Sequence, residues 1–326
     1  MINFGLVGCG QIAEKYVTIL SKIKNAQITQ VYDIDNTRAN LIGNKLNAVV
    51  AKSVPEMLNF VDALIIATPP ATHTKIALLT AKKGKHLYIE KPITTNLKDT
   101  KRIINACKRN KCRLQVNFQY RQSRIFKALK NNDLTKVFGK IVFVNFKMNW
   151  LRDESYYTGW RGSKKQAGGG VIINQAIHFI DFTIQWLGKP KRVYCVTKIN
   201  KFTKTNVEDT ALVVFEYANG TIVYFRLSTC TYPDLHDELE ISGTNGELLV
   251  SNINLGGKVL MKQFKEDTHI FDFAPYETNI ENNLRAFQSF VTTINNNTND
   301  FKAIISTMEV IESLYKSSKK KTWVKV

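Results

Sequence analysis

The sequence contains few cysteines and no long hydrophobic run. Its five cysteines among 326 residues are scattered, odd in number and without a Cys-x-x-Cys pair, so they predict neither a disulfide framework nor a zinc site. We therefore expect no bound metal. No stretch approaches the roughly 18–20 consecutive apolar residues of a membrane span, and no basic, cleavable leader precedes the first apolar segment. We expect a cytoplasmic protein that does not bind membranes.

Acidic residues are also scarce relative to basic ones. The 46 Lys and Arg residues outnumber the 27 Asp and Glu residues and give a formal net charge of +19, a value that raises the question of nucleic-acid binding. However, basic and acidic residues are interleaved along the chain, and the one run of three basic residues is 319–321. We expect no nucleic-acid partner. A diffuse positive field instead favours anionic small ligands, such as a dinucleotide or a nucleotide-sugar.

The first 33 residues carry the pattern of a dinucleotide-binding unit. An apolar run leads into Gly-Cys-Gly-Gln-Ile-Ala at residues 8–13, an amphipathic segment follows, and a second apolar run ends at Asp33. This order is strand, glycine turn, helix and strand, with the motif Gly-x-Gly-x-x-Gly/Ala. Gly8 permits the tight turn, Gly10 admits a pyrophosphate close to the backbone, and small Ala13 lets helix and strand pack closely. The helix N-terminus offers free N–H groups to the phosphates.

The acid at the end of the second strand indicates which dinucleotide binds. Asp33 can accept hydrogen bonds from the ribose hydroxyls and would repel a 2′-phosphate, which favours NAD over NADP. Arg38 follows closely and leaves NADP as an alternative, because an arginine can accommodate the phosphate.

Strand and helix patterns continue to alternate after Asp33, as in a doubly wound parallel sheet. We predict strands at 48–51, 62–67, 86–90 and 113–117 and helices at 36–46, 72–83 and 97–109. Two strands end in Thr68-Pro69-Pro70 and Glu90-Lys91-Pro92. Ligands of doubly wound sheets bind at the carboxyl ends of the strands, so both turns are expected at the cofactor site. This α/β Rossmann domain is predicted to cover residues 1–119.

After residue 119 the pattern changes to alternating strands separated by turn signals. We predict strands at 140–150, 193–199, 209–217, 221–231 and 239–243 and helices at 121–132, 171–187, 278–295 and 301–317. These elements predict a second, α+β domain over 120–326 with an open, mostly antiparallel sheet. The last two helices are expected to pack across this domain or back on the first one.

The helix predicted from residue 171 follows three glycines and carries Asn174, Gln175 and His178. Asn174 and His178 are four residues apart and share one helical face, which Asp181 continues. By itself, a histidine on so apolar a helix is more often a core residue. The preceding glycines and the dinucleotide fold favour a functional role.

These motifs, in this order, resemble those of the glucose-fructose oxidoreductase/inositol dehydrogenase (Gfo/Idh/MocA) family. In that family the lysine of Glu-Lys-Pro lies between nicotinamide and substrate, which implies this position for Lys91. The family's histidine, commonly the acid–base group, corresponds to His178. Many members have an aspartate where this chain has Asn174, and an amide can orient a hydroxyl but cannot take its proton. The resemblance also implies a homodimer or homotetramer.

One segment narrows the resemblance further. Trp160-Arg161-Gly162, together with Asn-Gln-x-x-His, is similar to dehydrogenases that act at C3 of UDP-N-acetylglucosaminuronate. We therefore expect NAD-dependent oxidation of a hydroxyl of a UDP-linked N-acetyl amino sugar in surface polysaccharide biosynthesis. The alternatives are UDP-N-acetylglucosamine, a free cyclitol or monosaccharide, and a non-catalytic NAD-binding regulator.

The expected site residues follow from these motifs. Lys91 and His178 are the expected catalytic residues, and either can be the base. The expected NAD contacts are Gly8, Gly10, Gln11, Ile12, Asp33, Ile34, Thr68, Pro69, His73, Glu90, Lys91, Gln119, Trp160 and Arg161. The expected substrate contacts are Lys91, Arg121, Arg152, Tyr156, Asn174, Gln175 and His178.

Overall fold

The computed structural model describes residues 1–233, 236–251, 258–263, 279–296 and 299–326. Packing divides the chain into two compact units, one of residues 1–119 with 280–305 and one of residues 120–279 with 306–326. The chain passes from the first unit to the second after residue 119. Residues 280–305, predicted as part of the second domain, belong instead to the first unit.

The first unit alternates strands and helices. Its elements up to residue 119 are β1 (Ile2–Val7), α1 (Gln11–Leu20), β2 (Ala26–Tyr32), α2 (Asn36–Leu46), β3 (Val49–Val50), α3 (Val54–Met57), β4 (Ala63–Ile66), α4 (Pro70–Lys82), β5 (His86–Ile89), α5 (Leu97–Arg109) and β6 (Leu114–Val116). The six strands are parallel, in the order β3-β2-β1-β4-β5-β6. This is the order of the dinucleotide-binding doubly wound sheet, and it confirms the predicted α/β fold.

Local sequence explains why these elements form where they do. All four residues of β4 are buried, as a parallel sheet with helices on both faces requires. Side chains cap three of the helices at their first residues: Asp35 accepts N–H bonds at the start of α2, Ser53 at α3 and Asn96 at α5. Strand ends and helix starts are therefore fixed at the edge that carries the cofactor turns.

In the part of the chain that the structure describes, the second unit is built on a sheet of eight strands. The elements after residue 119 are α6 (Arg124–Asn131), α7 (Thr135–Phe138), β7 (Ile141–Asn149), α8 (Lys164–Ala167), α9 (Ile177–Leu187), β8 (Arg192–Lys198), β9 (Thr210–Glu216), β10 (Ile222–Ser228), β11 (His236–Gly243), β12 (Gly246–Ser251), β13 (Lys258–Gln263), α10 (Asn279–Thr293), α11 (Phe301–Lys320) and β14 (Val324–Lys325). The strand order is β13-β12-β11-β7-β10-β9-β8-β14. Among the described strands of this second sheet, only β10 and β7 pair in parallel, so the prediction of a mostly antiparallel sheet is confirmed.

Two helices of this half begin differently from the prediction. The segment predicted as a helix from residue 121 starts with a 3-10 turn over Gln119–Gln122, and α6 begins at Arg124. The helix predicted at 171–187 begins with a π-helical turn over Ile172–Ala176, and α9 continues it. Single-turn π segments inside helices are frequent at functional sites. Among the described residues no helix is long and apolar enough to cross a bilayer.

The helix α10 packs back on the first unit, which settles the alternative that the sequence left open. The Phe287 and Phe290 side chains are fully buried. The ring of Phe287 lies 5.1 Å from that of Phe4, 6.0 Å from Tyr16 and 5.0 Å from Tyr88. A remote segment of the chain therefore completes the core beside β1 and β5.

We predict that Phe287→Ala destabilises the protein strongly. Removing a buried aromatic ring costs about 3–5 kcal/mol of unfolding free energy, and urea denaturation measures it. The control is Phe60→Ala, because the Phe60 side chain is 59% exposed and its loss should cost under about 0.5 kcal/mol. Equal effects of the two substitutions would contradict the assignment of α10 to this core.

Candidate active site

The glycine turn after β1 has the geometry that a pyrophosphate requires. Gly8 has a φ of +99°, and a Cβ there would lie 2.7 Å from the Ala67 carbonyl group. Gly10 is the N-cap residue of α1, and a Cβ on it would meet no protein atom within 4 Å. Packing inside the protein therefore does not require glycine at residue 10, whereas close approach of a phosphate does. The predicted contacts Gln11 and Ile12 form the first turn of α1, with Gln11 exposed and Ile12 half-buried.

Asp33 lies just beyond β2, facing this turn. Its carboxylate accepts the Cys9 N–H at 2.7 Å and the Asp35 N–H at 2.9 Å. Arg38, the residue that left NADP open, forms an exposed ion pair with Asp35 at 3.2 Å. Beside Asp33, the Ile34 side chain is 93% exposed. These residues fit NAD: a turn for the pyrophosphate and a carboxylate for the ribose hydroxyls.

The turn after β4 is held by polar contacts. The Thr68 hydroxyl lies 2.7 Å from that of Thr72, and Pro69 is the N-cap residue of α4. Both predicted contacts, Thr68 and Pro69, are half-buried and keep surface for a ligand.

His73, predicted to contact NAD, has no exposed surface. Its ring nitrogens lie 2.7 Å from the Thr68 carbonyl oxygen and 3.1 Å from the Ile93 carbonyl oxygen. Burial lowers the pKa of His73, against the opposing effect of these carbonyl contacts. The structure therefore corrects the prediction: His73 supports two loops from beneath and offers nothing for a cofactor to touch.

Glu90 is likewise buried, as is Gln119. The Glu90 carboxylate accepts hydrogen bonds from the Tyr16 hydroxyl at 2.8 Å, the Asn117 amide at 2.9 Å and the Lys91 backbone N–H at 3.3 Å. Lys91 follows it and is partly exposed, whereas the next three residues are buried. Glu90 therefore anchors the main chain next to Lys91, and with 8% of its surface exposed it has little to offer NAD.

In the second unit, two of the three glycines are explained by close packing at the start of the helix that carries Asn174, Gln175 and His178. A Cβ on Gly170 would collide with the main chain of Glu208, and one on Gly169 would collide with the Tyr315 hydroxyl. The Glu208 carboxylate accepts hydrogen bonds from the Ile172 N–H at 3.2 Å and the Tyr315 hydroxyl at 2.8 Å. Burial raises the pKa of Glu208, and these hydrogen bonds oppose the shift. Close packing, not flexibility, requires glycine at residues 169 and 170.

The three predicted substrate residues on this helix, Asn174, Gln175 and His178, are all buried and lie on consecutive turns. The Asn174 amide donates to the Gly169 carbonyl at 2.6 Å, and the Gln175 amide donates to the Tyr156 hydroxyl at 2.6 Å. The His178 ring stacks on the Tyr120 ring with their centroids 4.7 Å apart. The structure thus brings Gln175 and Tyr156 into direct contact, as a shared site requires.

Two arginines lie over one tyrosine ring. The guanidinium carbons of Arg152 and Arg161 are 5.1 and 4.9 Å from the centroid of Tyr156, and that of Arg161 is 4.6 Å from the centroid of Trp160. Within the described part of the chain neither guanidinium forms a salt bridge. Arg161 and Trp160, predicted to contact NAD, thus pack with Arg152 and Tyr156, which were predicted to contact substrate. We call Arg152, Tyr156, Trp160 and Arg161 the arginine cluster.

Three buried polar atoms have no hydrogen-bond partner among the described residues: Arg152 Nε within the arginine cluster, Gln175 Oε1 next to Tyr156, and Nε1 of Trp150, which lies two residues before Arg152 in the chain. Buried polar atoms are almost always bonded, so a group of exceptions points to a polar ligand. Trp150 was not among the predicted site residues. The sequence signal that could have found it is its place at the end of β7, just before Arg152.

Arg121, predicted to bind substrate, is engaged elsewhere. Its guanidinium donates two hydrogen bonds to the Asp181 carboxylate, at 2.7 and 2.6 Å, and the Thr307 hydroxyl donates a third at 2.7 Å. Asp181 is 1% exposed, so its charge needs this partner. The structure therefore assigns Arg121 to a buried ion pair.

The parallel sheet, the glycine turn and the acid after β2 define an NAD-binding oxidoreductase. Residues 2–118 match the oxidoreductase family with an NAD-binding Rossmann fold, and residues 130–249 match the GFO/IDH/MocA C-terminal domain. The chain belongs to the Gfo/Idh/MocA family, as the motifs indicated.

Individual relatives agree with this assignment. Glucose-6-phosphate 3-dehydrogenase of Bacillus subtilis is 29% identical over 76% of this chain and 73% of that protein. The WlbA dehydrogenase of Chromobacterium violaceum, solved with NADH and UDP-GlcNAcA, is 26% identical with a TM-score of 0.86, covering 100% of this chain and 96% of that one. WlbA of Bordetella pertussis, in complex with the same two ligands, has a TM-score of 0.86 at 24% identity, covering 100% and 98%. The protein is an NAD-dependent dehydrogenase acting on CH–OH groups of sugars or polyols.

We predict that Arg121→Ala destabilises the protein, although arginine side chains are usually exposed and their loss usually costs little stability. Leaving Asp181 buried without its cation should cost about 3 kcal/mol of unfolding free energy, measured by urea denaturation. Arg152→Ala is the control: it breaks no ion pair among the described residues and should cost about 1 kcal/mol or less. A smaller loss for Arg121→Ala than for Arg152→Ala would refute the structural role of Arg121.

Proposed function

We propose that the protein oxidises the C3 hydroxyl of a UDP-linked N-acetyl amino sugar, with UDP-N-acetylglucosaminuronate as the preferred substrate. The observation that carries this proposal is the arginine cluster beside Gln175. Two guanidinium groups with no salt bridge among the described residues favour an anionic ligand, such as a diphosphate or a carboxylate. The WlbA relative bound to UDP-GlcNAcA supports the choice of substrate. The 3-keto product would be an intermediate for amino sugars of surface polysaccharide.

The polar atoms near the arginine cluster suit a sugar. Gln175 Oε1 can accept a hydrogen bond from a hydroxyl, and Trp150 Nε1 can donate one to an acetyl or sugar oxygen. Arg161 was expected to contact NAD, but it shares the Tyr156 ring with Arg152, so we assign both to the anionic part of the substrate. Aromatic rings with polar partners are typical of small-molecule sites.

The chemistry follows from the residue types. The glycine turn and Asp33 would hold NAD, which would supply the acceptor for the hydride that leaves the sugar carbon. His178, whose ordinary pKa is near 6.5, removes the hydroxyl proton at neutral pH. The Lys91 ammonium donates a hydrogen bond to the same oxygen and stabilises the negative charge that develops on it. Asn174 orients the helix and takes no proton. The alternative, in which Lys91 is the base, requires a Lys91 that loses its proton near neutral pH.

A second candidate substrate is a phosphorylated monosaccharide. The B. subtilis relative is a glucose-6-phosphate 3-dehydrogenase, and a phosphate would satisfy the arginine cluster as well as a diphosphate would. Free cyclitols lack an anionic group and leave the two arginines unexplained. If the protein were a non-catalytic NAD-binding regulator, the presence of both Lys91 and His178 in the chain would be unexplained.

The experiment that tests the proposal is a substrate panel. Thermal stabilisation by NAD with UDP-N-acetylglucosaminuronate, UDP-N-acetylglucosamine, glucose 6-phosphate or myo-inositol is followed by NADH absorbance. We expect the largest stabilisation and turnover with UDP-N-acetylglucosaminuronate. Turnover of glucose 6-phosphate alone would favour the second candidate, and turnover of myo-inositol alone would exclude both.

The same assay tests the arginine cluster. Arg152→Ala and Arg161→Ala should each raise the KM for the anionic substrate about tenfold to a hundredfold, because each removes a charge-assisted contact. Arg192→Ala is the matched control: its guanidinium also lies over an aromatic ring, that of Trp323, but it is paired with Glu216 at 2.8 Å. A rise in KM that Arg192→Ala shares would remove the basis of the proposal.

We also propose that the protein forms a homodimer or homotetramer through the outer face of its second sheet. This face exposes Phe143, Val196 and Leu212, each 38–48% exposed, and Val196 pairs with Leu212 in adjacent strands. Apolar neighbours on an open sheet face favour burial by a second copy. A monomer mass by light scattering, or a Leu212→Arg variant that assembles like the wild type, would oppose this proposal.

The five free cysteines, four of them buried, suit the reducing cytoplasm.

A further inference from the structure

The segment that carries Lys91 is unusually well buried. Glu90, Pro92, Ile93 and Thr94 are all buried, and Lys91 alone among these five residues is partly exposed. The main chain on both sides of the lysine is therefore inside the first unit. The position of this main chain, and with it that of Lys91, depends on the hydrogen bonds that the buried residues form.

On the N-terminal side, Tyr16 bonds directly to Glu90. The Tyr16 hydroxyl donates to Glu90 Oε1 at 2.8 Å, and Tyr16 is 1% exposed. Asn117 donates to the same oxygen at 2.9 Å, while its own carbonyl accepts the Tyr88 hydroxyl and its second N–H reaches Asn283 at 2.7 Å. The amide of Asn117 is thereby fixed in orientation. Tyr16 is the member of this group that comes from α1, the helix of the glycine turn.

On the C-terminal side, His73 Nδ1 lies 3.1 Å from the Ile93 carbonyl oxygen and donates to it in the tautomer that carries the ring proton on Nδ1. Both ring nitrogens face carbonyl oxygens, and His73 comes from α4, which begins at the Thr68-Pro69 turn. The Thr68 turn has further bonds of its own: the Thr68 hydroxyl donates to the Thr72 hydroxyl, which in turn donates to the Pro69 carbonyl. Of the two contacts of His73, the one with the Ile93 carbonyl therefore matters more for the position of the main chain near Lys91.

We infer that Tyr16 and His73 are positioning residues that fix the main chain on either side of Lys91. This inference rests on the proposed role of Lys91. Neither side chain has surface with which to touch NAD or sugar, so both act through Glu90 and Ile93. They belong to the two helices whose first residues form the cofactor turns, so the elements that carry NAD also hold the lysine.

Tyr16→Phe and His73→Leu test this inference, because each removes the hydrogen bonds while keeping an apolar or aromatic side chain. We expect kcat to fall about tenfold to a hundredfold in each, the range for a hydrogen bond to a charged or buried group. The KM for NAD should change less than about threefold, because the Gly8 turn keeps all its contacts and the Thr68 turn, which loses only the His73 contact, keeps its bonds with Thr72. His73→Gln, which keeps one amide donor, should recover part of the activity lost in His73→Leu.

Matched controls separate positioning from loss of stability. Tyr217→Phe removes one hydroxyl bond, to the Gly188 carbonyl, from another buried tyrosine, and Thr80→Val removes one from α4, to the Ile76 carbonyl. Both should lower the melting temperature about as much as the test variants do and leave kcat unchanged. If kcat instead follows the melting temperature across all variants, or if kcat and NAD affinity fall together, Tyr16 and His73 are structural residues only.

A measurement without substrate keeps this inference separate from the proposed function. Reductive ¹³C-methylation of the lysines gives an NMR signal for Lys91, assigned by its loss in Lys91→Arg. Tyr16→Phe and His73→Leu should move that signal toward the position of exposed lysines, and Tyr217→Phe should not. If no sugar is turned over but the signal moves, the proposed function fails and the positioning role stands. An unmoved signal overturns the inference.

Discussion

Both functional helices begin where two main chains pass too closely for a side chain. At the first, Gly8 lies against the Ala67 carbonyl, and at the second, Gly170 lies against Glu208. A β-carbon at either position would push the helix away from its sheet, and the groups at the helix start would move with it. The cofactor turn and the helix of Asn174, Gln175 and His178 are therefore set by contacts between backbones. Such contacts are stiffer than those between side chains, because they have no rotamers to adjust.

Charge satisfaction separates structural from functional polar residues in this protein. Asp181 is paired with Arg121 and Thr307. Burial opposes ionisation of Asp209, but N–H groups of Asn200, Lys201 and Phe202 outweigh it and lower its pKa. These groups have all the partners they need. The arginine cluster differs, since within the described residues its two guanidinium groups lie over rings and form no salt bridge. A ligand that brings negative charge is the simplest complement to it.

The sequence predicted what depends on local pattern. The parallel sheet, the glycine turn, the acid after β2 and the antiparallel second sheet are each specified by residues close together in the chain, and all are present. The strands β12, β13 and β14 were not predicted. The apolar residues of β12 and β13 stand in one run of three each and do not alternate, and β14 has only two residues. The return of α10 to the first unit was left open, since its apolar face fits either core. Phe4, Tyr16 and Tyr88 decide it, and they lie far away in sequence.

The site residues show the same limit more sharply. Arg121, Arg152 and Arg161 are indistinguishable by type, yet one is buried against Asp181 and two are free of such a partner among the described residues. His73 follows a cofactor turn and was expected to contact the cofactor. As the fourth residue of α4, it lies instead on the buried face of that helix. No sequence pattern reveals which polar group a buried carboxylate will meet. The fold alone supplies that information.

The departure at Asn174 also finds a physical explanation. Its amide nitrogen donates to the Gly169 carbonyl at 2.6 Å, and an aspartate there would set an anionic oxygen against a carbonyl oxygen. The amide thus belongs to the same close-packed helix start that requires the glycines. An asparagine at this position therefore gives no evidence of lost catalysis. It cannot take a proton, but its amide forms a hydrogen bond that stabilises the start of the helix. The acid–base step then falls to His178 or Lys91, and both remain in the chain.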